Sequence, residues 1–134
     1  MRLATREDGT PWHKWKKQKI AILTRGPPGS FDEKYIEGQQ ILKFGLDYVL
    51  LYHAFNGVRW TEGLAYSQNL RRPFTKSEKN PVFGGGVPGT WDEMHVSTSY
   101  LYQLNNRWYL FYQGTNNPGF YSFANWDLGM AELH

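Results

Sequence analysis

No cysteine occurs in the 134 residues. Its absence excludes disulfide bridges, thiolate zinc centres and cysteine nucleophiles, and agrees with a reducing, cytoplasmic setting. No apolar run approaches the roughly 18 residues a membrane-spanning helix requires, so no membrane partner is expected. The N-terminal stretch from Met1 to Lys17 is polar and holds Glu7 and Asp8, which is not the pattern of a secretory leader. Charged residues are few, at 20%, against 40% hydrophobic and 17% aromatic, and that balance excludes a disordered chain. A long amphipathic helix is also lacking. Lys34 to Leu46 has a tolerable helical pattern, but its matched segment, Met94 to Asn106, carries β-branched and turn residues that oppose it.

Two further absences narrow the chemistry. Gly84-Gly85-Gly86 is followed by Pro88 and a strand, not by Lys-Ser/Thr and a helix, so it is not a phosphate loop. The histidines and aspartates show no metal-ligand spacing. Neither a metal nor a cofactor is expected.

Aromatic residues are abundant instead: six Trp, nine Tyr and eight Phe, alongside 14 Gly and 7 Pro. This mixture suits short strands joined by tight turns. The net charge is +3, with a pI near 9.1. Much of the excess lies in Trp12-His13-Lys14-Trp15-Lys16-Lys17-Gln18-Lys19. Basic residues interleaved with aromatics can grip single-stranded nucleic acid. A solvated loop whose tryptophans cover a sheet edge accounts for the same residues, and nucleic acid is not the expected partner.

The informative feature is a repeat. Gly29-Ser30-Phe31-Asp32-Glu33-Lys34-Tyr35-Ile36-Glu37 aligns with Gly89-Thr90-Trp91-Asp92-Glu93-Met94-His95-Val96-Ser97, 60 residues on. The match continues without a gap through Tyr48-Val49-Leu50-Leu51-Tyr52-His53 over Trp108-Tyr109-Leu110-Phe111-Tyr112-Gln113. Leu3-Ala4-Thr5-Arg6 matches Leu64-Ala65-Tyr66-Ser67, and Gly129-Met130-Ala131-Glu132 begins that element again.

Each copy reads as strands. Tyr35 to Lys43 and His95 to Gln103 are inner strands ending in turn residues. Tyr48 to His53 and Trp108 to Gln113 are apolar on both faces, as for strands packed between sheets. Third strands are expected at Thr61 to Ser67 and Leu128 to Leu133. Asn80 to Phe83 and Lys19 to Leu23 are expected outer strands, Pro81 being tolerable only at an edge. Four antiparallel strands per repeat make a propeller blade. The expected class is all-β: one propeller segment over residues 1–134, with third and outer strands in 1–29, repeat 1 in 30–89 and repeat 2 in 90–134.

Two blades leave apolar flanks open. Self-association into a homo-oligomeric ring is therefore expected, a trimer of six blades being favoured over a dimer of four. Residues Ile20 to Leu23, of the same chain or a neighbour, would supply the outer strand that repeat 2 lacks.

The Ser/Thr-Phe/Trp-Asp-Glu turn, the inner strand and the Tyr-x-Leu-x-Tyr strand resemble the five-bladed propeller glycoside hydrolases. These include arabinanases, β-xylosidases, fructosidases and the related mannoside phosphorylases. Trp108 to Gly114 resembles their second strand, Gly63 to Leu70 their third strand and turn, and Lys79 to Phe83 their outer strand. The resemblance implies a carbohydrate ligand and acid–base hydrolysis of a glycosidic bond by carboxylates around a central cavity. Ile36-Glu37-Gly38 resembles the segment bearing the acid. Glu37 is the first candidate, with burial among aromatics expected to raise its pKa.

Ser97 and Thr98 replace Glu37 and Gly38 in the second repeat, and the family's base, an Asp before Pro, has no clear match. Asp32 and Asp92 are the remaining catalytic candidates, although their identical slots also suit a turn-bracing role. His53 and His95 are candidates for binding sugar or for structural hydrogen bonding. Tyr52-His53-Ala54 resembles a ligand-binding segment of the mannoside phosphorylases. Tyr35, Trp60, Trp126 and Tyr121 offer rings for stacking on sugar or for packing. The alternative to an enzyme is a lectin-like or purely structural propeller.

Overall fold

A computed structural model describes residues 1–7, 9, 11, 14–119 and 125–133, with the side chain of residue 133 left aside. Nine strands and no helix occur among the described residues. β1 (Arg2–Thr5) and β2 (Lys16–Ala21) form an antiparallel pair. β3 (Tyr35–Phe44), β4 (Asp47–Phe55), β5 (Trp60–Ser67) and β6 (Thr75–Lys76) make a four-stranded antiparallel sheet in chain order. β7 (His95–Leu104), β8 (Arg107–Thr115) and β9 (Asp127–Leu133) make a three-stranded one. These are propeller blades: an N-terminal third and outer strand, a complete blade 1, and the first three strands of blade 2.

Tight hairpins arise where the turn residues allow them. Asn105 and Asn106 both take positive φ, 51° and 61°, as a two-residue type I′ connection between β7 and β8 requires. The Asp-Glu turn before each inner strand is built twice in the same way. Ser30 and Thr90 hydroxyls donate to the carbonyls of Pro27 and Val87, both at 2.8 Å, and the amides of Gly29 and Gly89 donate to Glu33 and Glu93.

The main core lies between the N-terminal pair and blade 1, where Leu50, Tyr52, Ala54 and Ala65 pack on Ile22, Leu23 and Phe74. Alternation along β4 sends Leu51, His53 and Phe55 to the other face, toward blade 2. That seam is closed by Phe44 against Trp108 at 5.2 Å, by Phe83 against Tyr112 at 4.9 Å, and by Gln40. The Gln40 side-chain amide accepts from Leu101 N–H at 2.8 Å and donates to Leu101 C=O at 3.2 Å.

Three expectations are corrected. The outer strand of blade 1 is Thr75–Lys76, hydrogen-bonded to β5, while Asn80 to Phe83 contributes only a bridge from Phe83 to Glu62. The outer strand of the N-terminal piece runs from Lys16 to Ala21 and is bonded to β1, so within the chain it does not complete blade 2. The third strands align with an offset of 66, not 65: Tyr52 faces Gly63 and Tyr112 faces Gly129. The physical reason is close packing of rings on the sheet. A Cβ at Gly63 would lie 2.7 Å from the Tyr52 ring and 2.9 Å from Phe31, and one at Gly129 would lie 2.7 Å from both Tyr112 and Trp91. Only glycine admits those rings.

Candidate functional site

The true alignment of the blades shows where they differ. Glu37 on β3 pairs with His53 on β4, which pairs in turn with Glu62 on β5. Directly opposed residues share a sheet face, so these three form one polar ladder across blade 1. The same ladder in blade 2 reads Ser97, Gln113, Leu128. The repeat supplies the frame, and blade 1 alone carries the titratable groups.

Both inner strands are bulged at the same place, between Gly38 and Gln40 and between Ser97 and Tyr100. Bulges re-aim side chains, often beside functional sites. In blade 1 the extra residue, Gln39, turns its amide onto His53 Nδ1. In blade 2, where Thr98 takes φ 53°, Ser99 occupies the equivalent slot and donates its hydroxyl to Glu62 Oε1 at 2.7 Å.

His53 Nε2 lies 3.1 Å from Glu37 Oε2. A carboxylate can only accept there, so Nε2 carries the proton and Nδ1 accepts from the Gln39 amide. One neutral tautomer satisfies both neighbours. Burial accordingly lowers the His53 pKa, opposed by the nearby Glu37 charge and its hydrogen bond.

Glu37 itself is not enclosed. Its side chain is 64% exposed, so the burial expected for it is absent. The inner strand faces the open axis of the propeller, and no described residue stands across from it. Glu62 is the enclosed carboxyl, fully buried in the seam, and desolvation pushes its pKa up to about 7 against the lowering effect of Ser99. Its Oε2 is buried without a hydrogen-bond partner among the described residues. Sequence reading passed over Glu62 because Thr61-Glu62-Gly63 resembles no motif. Its place at an inward position opposite a histidine was the available signal.

Beneath the ladder lies an aromatic floor. Trp60 meets His53 edge-on at 4.9 Å and stacks on Phe55 at 5.1 Å, and Tyr35 stacks against both Phe55 and Trp60. Trp60, expected in a loop, is the buried first residue of β5, so its ring is packed and not open to stacking on a ligand. Tyr35 is the exposed ring of the set. Trp126, the counterpart of Trp60, stacks on His95 at 6.0 Å. Tyr121 lies outside the described residues.

His95 is buried, and its Nδ1 accepts from Trp60 N–H at 3.3 Å. Burial lowers its pKa, the Pro118 carbonyl opposes that, and Arg59 adds to it. His95 therefore joins the two blades through backbone and rings.

Asp32 and Asp92 are also buried, away from the ladder. Asp32 accepts from Tyr52 OH at 3.4 Å and pairs with Lys76; Asp92 accepts from Tyr112 OH at 2.9 Å. Burial, then the aspartate's hydrogen bond, pushes the Tyr112 hydroxyl up to about 12. The described residues bring Glu37, His53 and Tyr35 together, with Trp60 beneath, and leave Asp32 and Asp92 bracing their turns. No group of three or more His, Asp or Glu suited to a metal occurs among the described residues. In the basic N-terminal stretch, Lys16, Lys17 and Lys19 are exposed and Arg6 lies over the Trp15 ring at 5.7 Å; Trp12 and His13 lie outside the described residues.

Solved structures can be laid against this geometry. One described as a glycoside hydrolase and one described as a complex of BT0996 and RGII each superpose with a TM-score of 0.74 at 18% identity. Each comparison covers 96% of this chain and 34% of the other. The likeness is one of fold. This chain spans about a third of the length of those proteins. No family model and no curated protein matches it.

Proposed function

We propose that this chain is a carbohydrate-active propeller segment of glycoside hydrolase type, in which Glu37 is the general acid. The observation that carries the reading is the Glu37–His53 pair at a bulge of the inner strand, present in blade 1 and absent from the equivalent place in blade 2. Glu37 is open to a ligand on the axis, and His53 holds its carboxyl in one orientation. Tyr35 offers an exposed ring at the same end, against which the apolar face of a sugar can lie. In the reaction, protonated Glu37 delivers its proton to the glycosidic oxygen as the bond to the anomeric carbon breaks. The fold of the structural neighbours supports this chemistry by analogy.

Chromogenic arabinosides, xylosides, fructosides and mannosides test the reading. Turnover that Glu37→Gln abolishes while sugar binding persists supports it; turnover unchanged by that substitution overturns it.

One observation favours a second reading, a lectin-like binder. Hydrolysis needs a second carboxylate at the substrate. The other carboxyl of the ladder, Glu62, is sealed in the seam. Glycan binding without turnover, reduced by Tyr35→Ala, would establish the binder.

A further inference from the structure

The far face of blade 2 carries six large side chains that the rest of the fold leaves uncovered. Tyr100, Tyr102, Leu104, Phe111, Leu128 and Met130 are between 37% and 74% exposed. They belong to one surface, because Tyr100 faces Phe111 and Phe111 faces Met130 across neighbouring strands. With each roughly half exposed and a bare side chain of this class offering roughly 200 Å², the patch amounts to on the order of 600 Å². That is at the upper end for a monomer's largest apolar patch, and close to the roughly 800 Å² each partner contributes to a standard interface.

The repeat identifies the kind of object that covers such a face. Positions equivalent to Tyr100 and Leu104 on blade 1 are Gln40 and Phe44, and both are covered by another blade, at Leu101 and Trp108. The Glu62 position, equivalent to Leu128, is likewise covered, by Ser99. Blade 2 thus presents a surface shaped for a sheet, with Leu128 standing where blade 1 has a carboxyl.

Two sheets of this chain are available to cover it. The N-terminal pair carries exposed Arg2 and Lys17 on its open side, where Ala4 faces Lys17. Among the described residues the only anion on the patch, Glu132, is already taken by Arg107 at 3.1 Å. Seating the N-terminal pair there would bury cations without partners, which is costly. The apolar far face of a second blade 2 carries no such cost, and contact between identical patches closes as a twofold dimer.

We propose that the far face of blade 2 docks on the same face of a second copy, forming a twofold dimer and not a head-to-tail ring.

Sedimentation of the purified chain up to about 200 µM, where mass action favours a weak dimer, is the primary test. A reversible monomer–dimer equilibrium is expected, at least tenfold weaker in the Tyr102→Glu, Met130→Glu double variant with an unchanged far-UV spectrum. Because the chain lacks cysteine, single variants Tyr102→Cys, Phe111→Cys and Met130→Cys give a second readout. In a twofold contact, a residue near the axis meets its own copy, so at least one of the three should oxidise to a covalent dimer and to nothing larger. A wild-type chain that stays monomeric, a trimer or open-ended series, or an association indifferent to the double variant would overturn the proposal. So would failure of all three cysteine variants to cross-link while the dimer is present. None of these outcomes depends on Glu37.

Discussion

Glu62 of blade 1 and Ser99 of blade 2 meet across the seam, the hydroxyl 2.7 Å from one carboxylate oxygen, and among the described residues no cation pairs with them. Burial favours the neutral acid, which raises the folded pKa to about 7 from 4.5. Between those values the folded chain holds a proton that the unfolded chain has released, so stability falls as pH rises through the window. The contribution is complete below about pH 4.5 and gone above about pH 7, on the order of 3 kcal/mol in all. Urea unfolding from pH 5 to pH 8 should show this loss in the wild type. The difference between wild type and Glu62→Gln isolates it, since the variant has no proton to lose there. An identical pH dependence in both proteins would contradict the account.

The histidines act in the opposite sense. Burial lowers the pKa of His53 and of His95, so the unfolded chain takes up protons first and stability declines as pH falls below about 6.5. Glu37 is the group that resists this lowering at His53. Glu37→Gln should therefore move the His53 titration to still lower pH, followed by imidazole nitrogen NMR shifts, and leave His95 in place. A His53 titration unmoved by the substitution would separate the pair.

The two third-strand glycines make a steric prediction. Gly63→Ala and Gly129→Ala should each destabilise the chain by about 1–3 kcal/mol, because the added methyl meets a tyrosine ring at 2.7 Å. Denaturant midpoints measure this. At Gly63, pairing the substitution with Tyr52→Leu should recover part of the loss by giving the methyl room.

Tyrosine–aspartate contacts differ between blades in a way that can be measured. Tyr112 OH approaches Asp92 to 2.9 Å, whereas Tyr52 OH is 3.4 Å from Asp32, which also holds Lys76. A double-mutant cycle of Tyr112→Phe and Asp92→Asn should give a coupling of about 1–2 kcal/mol, and the Tyr52 and Asp32 cycle a smaller one.

The inner and second strands were legible because their sequences repeat without a gap, and aromatic residues on both faces of β4 and β8 mark them as buried. Outer strands were harder. Thr75–Lys76 is two residues long, too short to show any period, while Asn80 to Phe83 imitates a strand but forms one bridge. The third strands slipped by one residue because the loop before β9 differs in length from the loop before β5, and only pairing to β8 fixes the register. Glu37 and His53 were visible singly. That they touch depends on cross-strand register, and the importance of Glu62 depends on blade packing, neither of which sequence periodicity reports.

The Gln40 amide answers both peptide groups of Leu101 on the open edge of β7, standing in for a strand that is not there. A contact with two fixed directions tolerates little pivoting, so it sets the wedge angle at which one sheet leans from the next. Shortening that arm, as in Gln40→Asn, would leave the blades touching but unhinged, and the curvature of anything built from them would drift with it.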